Sequence, residues 1–150
     1  MIKKPILSDI KDIQKLLSPF IKDGIILQRN DDEIATNIRS YLIMIKNNKI
    51  IGVGGLHIYS MNLAEIRSLA VDENHQKQGI GKQIIKELEN EAKQLGIKQL
   101  LTLTYQKEFF EKLGFKEIPK EKVPEHKVWS DCIKCPHFPN CNEISLIKTI

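Results

Sequence analysis

The stretch LAEIRSLAVDENHQKQGIGKQ, residues 63–83, joins two kinds of secondary-structure signal through a short break. Apolar and β-branched residues within Leu63–Val71 predict a strand, and Asp72-Glu73-Asn74 ends it. From Gly79 to Leu95 the apolar residues recur at helical spacing, and Gly96 then ends the helix. The sequence therefore predicts a strand, a glycine-bearing turn and an amphipathic helix in direct succession.

The turn from Gln76 to Gly81 has the pattern Q-x-x-G-x-G and the properties of a phosphate site. Glycine lets a backbone approach a phosphate closely. A helix N-terminus adds unpaired N–H groups and a positive dipole end, and Lys77 and Lys82 add charge. The pattern fits neither a Walker A loop, since Gly81-Lys82-Gln83 lacks the first glycine and the hydroxyl, nor a dinucleotide fingerprint. We expect it to bind a diphosphate, and the alternative is a plain strand-to-helix turn.

Residues before this stretch predict two helices and a β-hairpin. Ser8 is positioned to cap the first helix, and Asn30 with Glu33 has the spacing of a capping box for the second. The hairpin comprises Tyr41–Lys46 and Lys49–Tyr59 on either side of an Asn-Asn turn. Three glycines in its second strand predict a bulge or the close approach of another element. These glycines are Gly52, Gly54 and Gly55.

The remaining segments complete an α/β pattern. They predict a strand over Gln99–Thr104, a helix over Gln106–Leu113, the start of a strand over Phe115–Ile118 and a last strand over Glu143–Thr149. This order predicts a central mixed, mostly antiparallel sheet flanked by helices on both faces. An exposed sheet edge near the last strand would support a homodimer.

Composition places the chain among ordinary globular proteins. Its 150 residues are 41% hydrophobic and 28% charged, which suits one domain over 1–150 that includes the cysteine-containing segment 126–143. The formal charge of +4 includes scattered lysines, which are typical of a solvated surface. The alternative is attraction of a polyanionic ligand such as a nucleotide cofactor, and no basic run with interleaved aromatics indicates nucleic acid. The sequence shows no export signal and no apolar run of about 18 residues, so we expect a cytoplasmic protein with no membrane partner.

The three cysteines lie together at Cys132, Cys135 and Cys141. An odd, clustered number without an export signal argues against a disulfide framework. The first pair has zinc-like spacing, and His126 or His137 would be the fourth ligand. Because no second ligand pair follows, we expect reduced thiols rather than a metal, with zinc or a redox switch as alternatives.

The chain resembles the GNAT acetyltransferase superfamily over nearly its whole length. The hallmark Q/R-x-x-G-x-G/A matches Gln76–Gly81, and Phe109–Phe115 is similar to the second cofactor motif, F-Y-x-x-x-G-F. The resemblance implies a GNAT-like fold and acetyl-CoA as cosubstrate, with the backbone of Leu69 and Val71 on the pantetheine arm and the turn on the pyrophosphate. The cofactor residues that it implies are Leu69, Ala70, Val71, Gln76, Lys77, Gln78, Gly79, Ile80, Gly81, Lys82 and Phe109.

An amine must lose its proton before it attacks a thioester, so such an enzyme needs a base or a water chain. By resemblance, Glu65 on the strand before the turn would act as the base through water, and the alternative is a strand glutamate facing solvent or pairing with Arg67. Phe110 stands where the family commonly has a tyrosine acid. Tyr105 would substitute for that acid, unless none is required. His57 is either a packed histidine or an accessory proton carrier.

A narrower resemblance suggests the amine. Residues 64–71, Ile26–Asn30 and the tail from Val128 are similar to the acetyltransferase part of bacterial N-acetylglutamate synthases. That likeness implies transfer to the α-amino group of L-glutamate, the first step of arginine synthesis. Arginine suits carboxylate capture. The substrate-binding residues expected are Leu27, Arg29, Arg67 and, more weakly, Lys127. Another amino-acid or peptide amine, or a non-catalytic acetyl-CoA-binding regulatory module, are the alternatives.

Overall fold

The computed structural model describes residues 1–124 and 143–150. Its helices are α1 (Ile10–Lys22), α2 (Asp31–Thr36), α3 (Ile80–Leu95) and α4 (Lys107–Glu111). Its strands are β1 (Ile2–Lys3), β2 (Tyr41–Lys46), β3 (Lys49–Ile58), β4 (Leu63–Val71), β5 (Gln99–Thr104), β6 (Lys116–Ile118) and β7 (Ile144–Thr149). No helix within the described ranges is long and apolar enough to cross a bilayer.

The seven strands form one sheet in the order β1-β2-β3-β4-β5-β7-β6. Neighbours pair antiparallel except β4 and β5, which pair in parallel. A parallel pair needs a crossover, and α3 supplies it by carrying the chain from the end of β4 back to the start of β5. The mixed, mostly antiparallel sheet predicted from the element order is confirmed.

Helices cover both faces of the sheet, as predicted. One core contains Ile84 and Leu88 of α3 together with Leu42 of β2, and the other contains Ile13 of α1 together with Ile43 of β2. Adjacent residues of β2 thus serve opposite cores, because side chains alternate across a strand. We call these layers the α3 face and the α1 face.

Two glycines of β3 let α3 lie directly on the sheet. A Cβ on Gly54 would come within 2.7 Å of Ile84 Cγ2, and one on Gly52 within 2.9 Å of Ile84 Cδ1. Both distances are shorter than real carbon contacts, so any larger residue would push the helix away. Of the two predictions for the β3 glycines, close approach is confirmed at these positions.

Several local predictions need correction. Ser8 lies in a 3-10 turn and does not cap α1; instead Asp9 Oδ2 accepts the Ile6 N–H at 2.8 Å. The C-terminal strand is not an edge, because β7 pairs with both β5 and β6. Within the described sheet the edges are β1 and the three-residue β6, so the predicted edge lies one strand beyond β7. The homodimer stays a prediction.

We predict that Gly54→Ala destabilises the protein by about 1–3 kcal/mol, because overpacking at Ile84 must displace α3. Gly55→Ala is the matched control on the same strand, since its Cβ would make wider contacts, 3.3 Å to the Tyr41 ring and 3.4 Å to the Arg67 carbonyl oxygen. Thermal denaturation of the two variants beside the parent chain measures the difference. Equal melting temperatures for the two variants would contradict the close-packing account.

Candidate functional site

The two parallel strands β4 and β5 separate halfway along β4. Their ladder pairs Leu63–Glu65 with Gln99–Leu101 and goes no further. Just past it, Thr102 Oγ1 donates to the Ile66 carbonyl at 3.1 Å. The last third of β4 therefore borders an opening in the sheet on its β5 side, and that opening leads to the turn before α3.

A bulge in β4 changes which side chains face the opening. The register with β3 shifts by one residue between Val53 and Gly55, and Ser68 opposite this shift has a φ of 56°. Before the bulge, even-numbered Ile66 faces α3; after it, odd-numbered Leu69 does so. A non-glycine residue in this conformation costs about 1–3 kcal/mol and is typical of functional sites.

The turn from Gln76 to Gly81 has the geometry of an anion site. Lys77 and Gly79 have positive φ values of 64° and 80°, and the Gly79 carbonyl accepts the first helical bond, from Gln83 N at 3.0 Å. The N–H groups of the first helical turn therefore lie outside the α3 ladder. A Cβ on Gly79 would meet nothing within 4 Å, so the turn is open around Gly79.

Side-chain hydrogen bonds and an ion pair hold the turn against the sheet. Gln76 Nε2 donates to the Val71 carbonyl at 3.2 Å, which closes the turn onto the end of β4. Asp72 Oδ1 accepts the Asn74 N–H at 3.0 Å, and Asp72 Oδ2 lies 3.1 Å from Lys49 Nζ. The Asn74 N–H and then Lys49 lower the pKa of Asp72 from its ordinary value of 3.8. The chain thus enters the turn from a fixed position.

Aromatic residues of α4 close the far side of the turn. A Cβ on Gly81 would lie 3.4 Å from the Phe109 ring, so Phe109 reaches the first turn of α3. Phe110 is buried and packs edge-to-face on Phe109 and Phe115 at centroid distances of 5.2 and 5.3 Å. Phenylalanine at this motif position therefore serves the core.

Glu65 is the buried carboxylate of this region. It is only 2% exposed, and Tyr59 Oη donates to its Oε1 at 2.6 Å. Its cross-strand partner is His57, whose ring lies edge-on to Tyr59 with centroids 4.9 Å apart. Arg67 pairs with Gly55 in the same register, so alternation places Glu65, His57 and Arg67 on the α1 face.

Sequence reasoning missed Tyr59. A signal was present, because Tyr59 is two residues after His57 and would share its face if the strand continued. Tyr59 is a diagonal neighbour of Glu65 because of the register between β3 and β4. That register depends on how the strands pair, which a single sequence does not specify.

The expected carboxylate-binding residue Arg29 lines a groove of about 710 Å³ at the junction of α1 and α2. Gln14 of α1 fixes this segment by donating Nε2 to the Arg29 carbonyl at 2.8 Å and to Asp31 Oδ1 at 3.1 Å. The predicted capping box of α2 is present, with Asn30 Oδ1 accepting the Glu33 N–H at 2.8 Å. The groove lining does not include Glu65.

Of the other residues predicted for the site, the structure describes Leu27 and Tyr105. Leu27 is half-buried next to Arg29, and Tyr105 is 41% exposed directly after β5. Six predicted residues lie outside the described residues: His126, Lys127, Cys132, Cys135, His137 and Cys141. Most of the tail that carries the narrower resemblance lies there too. Among the residues that the structure does describe, no three metal-binding side chains form a group suited to an ion.

Comparisons with known proteins give a consistent result. The model of the acetyltransferase (GNAT) family matches residues 10–115. An N-acetyltransferase of Chlorobaculum tepidum, itself uncharacterized, is 35% identical over 96% of this chain and 92% of its own length. The amino-acid acetyltransferase of Vibrio cholerae is 27% identical over 84% of this chain, which spans only 29% of that enzyme. The amino-acid acetyltransferase of Mycobacterium tuberculosis is 29% identical over 79% of this chain and 69% of its length.

Solved structures show the same fold. N-acetylglutamate synthase of Neisseria gonorrhoeae, in complex with coenzyme A and N-acetyl-glutamate, superposes with a TM-score of 0.89 at 24% identity. The likeness covers 99% of this chain and 34% of that one. A Mycobacterium tuberculosis protein in complex with CoA and NLQ has a TM-score of 0.85 at 24% identity, over 100% of this chain and 99% of its own.

The anchored turn makes a prediction about acid stability. Asp72→Ala should lower the free energy of unfolding at neutral pH by about 0.5–2 kcal/mol, because it removes a capping carboxylate. Since the folded-state pKa is lowered, this stabilisation is complete above pH 3.8 and is lost as the pH falls below that value. Denaturant titrations of both proteins at several pH values measure this. A gap between them that stays constant down to pH 2 would contradict the assignment.

Proposed function

This chain belongs to the GNAT acetyltransferase family, and we propose that it transfers the acetyl group of acetyl-CoA to the α-amino group of L-glutamate. Family membership makes it an acetyl-CoA-dependent N-acetyltransferase. The choice of glutamate and the roles of individual residues are the proposal. The observation that carries it is that β4 bears a buried carboxylate, Glu65, and ends beside the open turn that begins α3.

The residues of the turn fit the acetyl-CoA that the family requires. Open N–H groups at the start of α3 and the exposed side chains of Lys77 and Lys82 suit its pyrophosphate. The opening beside Leu69–Val71 offers strand backbone to its amide-bearing arm, and Phe109 borders the turn. When bound, acetyl-CoA supplies an activated acyl group on a thiol leaving group.

Glu65 is assigned the role of base. A free α-amino group has a pKa of about 7.7–8.0 in peptides, so it is mostly protonated near neutral pH and cannot attack. Glu65 accepts that proton through an intervening water, which leaves the amine neutral at the opening between β4 and β5. Its burial removes competing solvent, and the Tyr59 hydroxyl keeps its carboxylate in one orientation.

The departing thiolate needs little help from the protein. A thiol has a pKa of about 8.5 and leaves far more readily than an alkoxide. Phe110 is buried and has no proton to donate. Tyr105, at the end of β5, is the proton donor we assign if one is used.

Glutamate is favoured by the relatives, and two arginines are available to bind its carboxylates. Several relatives are named amino-acid acetyltransferases, and one fold neighbour was solved with N-acetyl-glutamate. A substrate with two carboxylates needs cationic side chains on the face of the sheet that Glu65 occupies, the α1 face. We assign Arg29 to one carboxylate, with the Leu27 backbone beside it, and Arg67 on the face of Glu65 to the other. Lys127 is the further candidate.

The substrate assignment is tested by thiol release from acetyl-CoA across a panel of amino acids, amines and peptides. We expect glutamate to give the highest kcat/KM. Glu65→Gln should lower kcat by at least about 100-fold, because it removes the base. Arg29→Ala should raise the KM for glutamate about 10- to 100-fold, since a charged hydrogen bond is lost, with kcat little changed.

Other outcomes decide between the alternatives. Turnover with a different amine and none with glutamate would reject the substrate assignment but keep the enzyme. Tight acetyl-CoA binding without turnover of any amine would favour a regulatory module. Arg39→Ala is the control for a general loss of positive charge, because Arg39 is not among the residues that line the groove.

Two glycines at the ends of α3 form a matched pair for testing the cofactor site. Gly79 and Gly96 have φ values of 80° and 86°, and a Cβ on either meets nothing within 4 Å. Alanine should therefore cost a similar amount at both, about 1–2 kcal/mol of stability. Only Gly79→Ala should weaken coenzyme A binding, because only Gly79 lies in the turn. Calorimetric titration with coenzyme A measures this, and equal affinities in the two variants would contradict the site.

A further inference from the structure

We infer that Tyr59 is a positioning residue that orients the Glu65 carboxylate for proton transfer. This inference rests on the proposed role of Glu65 as the base and assigns a partner to it. The Tyr59 hydroxyl donates to Glu65 Oε1 at 2.6 Å.

The backbone of Tyr59 is fixed by the turn between β3 and β4. Its N–H donates to the Leu63 carbonyl at 2.9 Å, and the Ser60 N–H donates to the same oxygen at 3.2 Å. Ser60 Oγ in turn accepts the N–H groups of Asn62 and Leu63 at 3.2 and 3.1 Å. Because these bonds close the hairpin, the tyrosine needs little rearrangement to reach the carboxylate.

The ring of Tyr59 is oriented by His57, near the end of β3. His57 packs edge-on against it with centroids 4.9 Å apart, and His57 is also the cross-strand partner of Glu65. Both aromatic residues therefore lie on the α1 face with the carboxylate. Tyr59 is half-buried, so its hydroxyl is placed between the protein interior and the solvent edge of the hairpin.

Among the described residues, the strand register places His57 of β3, Tyr59 just after it and Arg67 of β4 beside Glu65 on this face. From β5 the register partner is Leu101, which carries no charge. A carboxylate that is 2% exposed has lost most of its hydration, and a hydroxyl donor stabilises its ionised form in place of water. Tyr59 supplies that donor.

The test is the pH dependence of kcat at saturating acetyl-CoA and glutamate for Tyr59→Phe. Removing a donor to the ionised carboxylate should move the acidic limb of the profile upward by about one pH unit. Well above that limb, kcat should fall only severalfold, and the KM for glutamate should stay within about twofold. Ile58→Ala is the matched control, because Ile58 is half-exposed on the adjacent position of the same strand and should leave the profile unchanged.

Replacing Tyr59 by 3-fluorotyrosine keeps the shape of the side chain and makes its hydroxyl a stronger donor. The acidic limb should then move to lower pH, so the inference stays testable even where Tyr59→Phe folds poorly. A lower kcat with an unmoved limb in both variants would overturn the inference and leave Tyr59 as a packing residue. Full turnover in Glu65→Gln would instead overturn the role of Glu65 itself.

Discussion

The separation of β4 from β5 is the constraint on which the rest of the molecule depends. A sheet whose strands stayed paired to their ends would have no place for a ligand between them. Here the parallel ladder ends at Glu65 and Leu101, and Thr102 closes the last contact with the Ile66 carbonyl. Because α3 starts beyond the same strand end, the opening and the helix N-terminus lie next to each other.

The bulge at Ser68 reconciles two demands on a single strand. The first half of β4 directs Glu65 to the α1 face, and the second half directs Leu69 and Val71 against the core under α3. Strict alternation cannot satisfy both, since residues 65, 69 and 71 have the same parity. One extra residue in β4 changes the parity, and its strained backbone is the cost.

Much of this architecture follows from local sequence signals. The sequence predicts the glycine-bearing turn, the amphipathic α3 and its terminal Gly96, because each depends on residues close together in the chain. The capping box at Asn30 was readable for the same reason. The candidate base Glu65 came from a family resemblance, and its burial came only from the fold. The prediction that Ser8 caps α1 is wrong, because a 3-10 turn precedes that helix.

Features that depend on pairing between strands could not be predicted in this way. The position of β7 inside the sheet depends on which neighbours it finds, and a two-residue strand such as β1 carries too little pattern to be recognised. The contact between Tyr59 and Glu65 belongs to the same class, because it exists only once the hairpin register is set. The parity change at Ser68 likewise has no signature in composition.

The four-residue link Tyr59–Asn62 has a consequence for how this protein tolerates change in length. Most surface loops accept an inserted residue at little cost, because closure entropy grows slowly with length. An inserted residue in this link would be costly, since a one-residue shift in the register of β3 would turn each of its side chains to the opposite face. We therefore expect that homologues which retain the hydroxyl–carboxylate pair keep the spacing between its two members constant, while loops elsewhere on the surface vary.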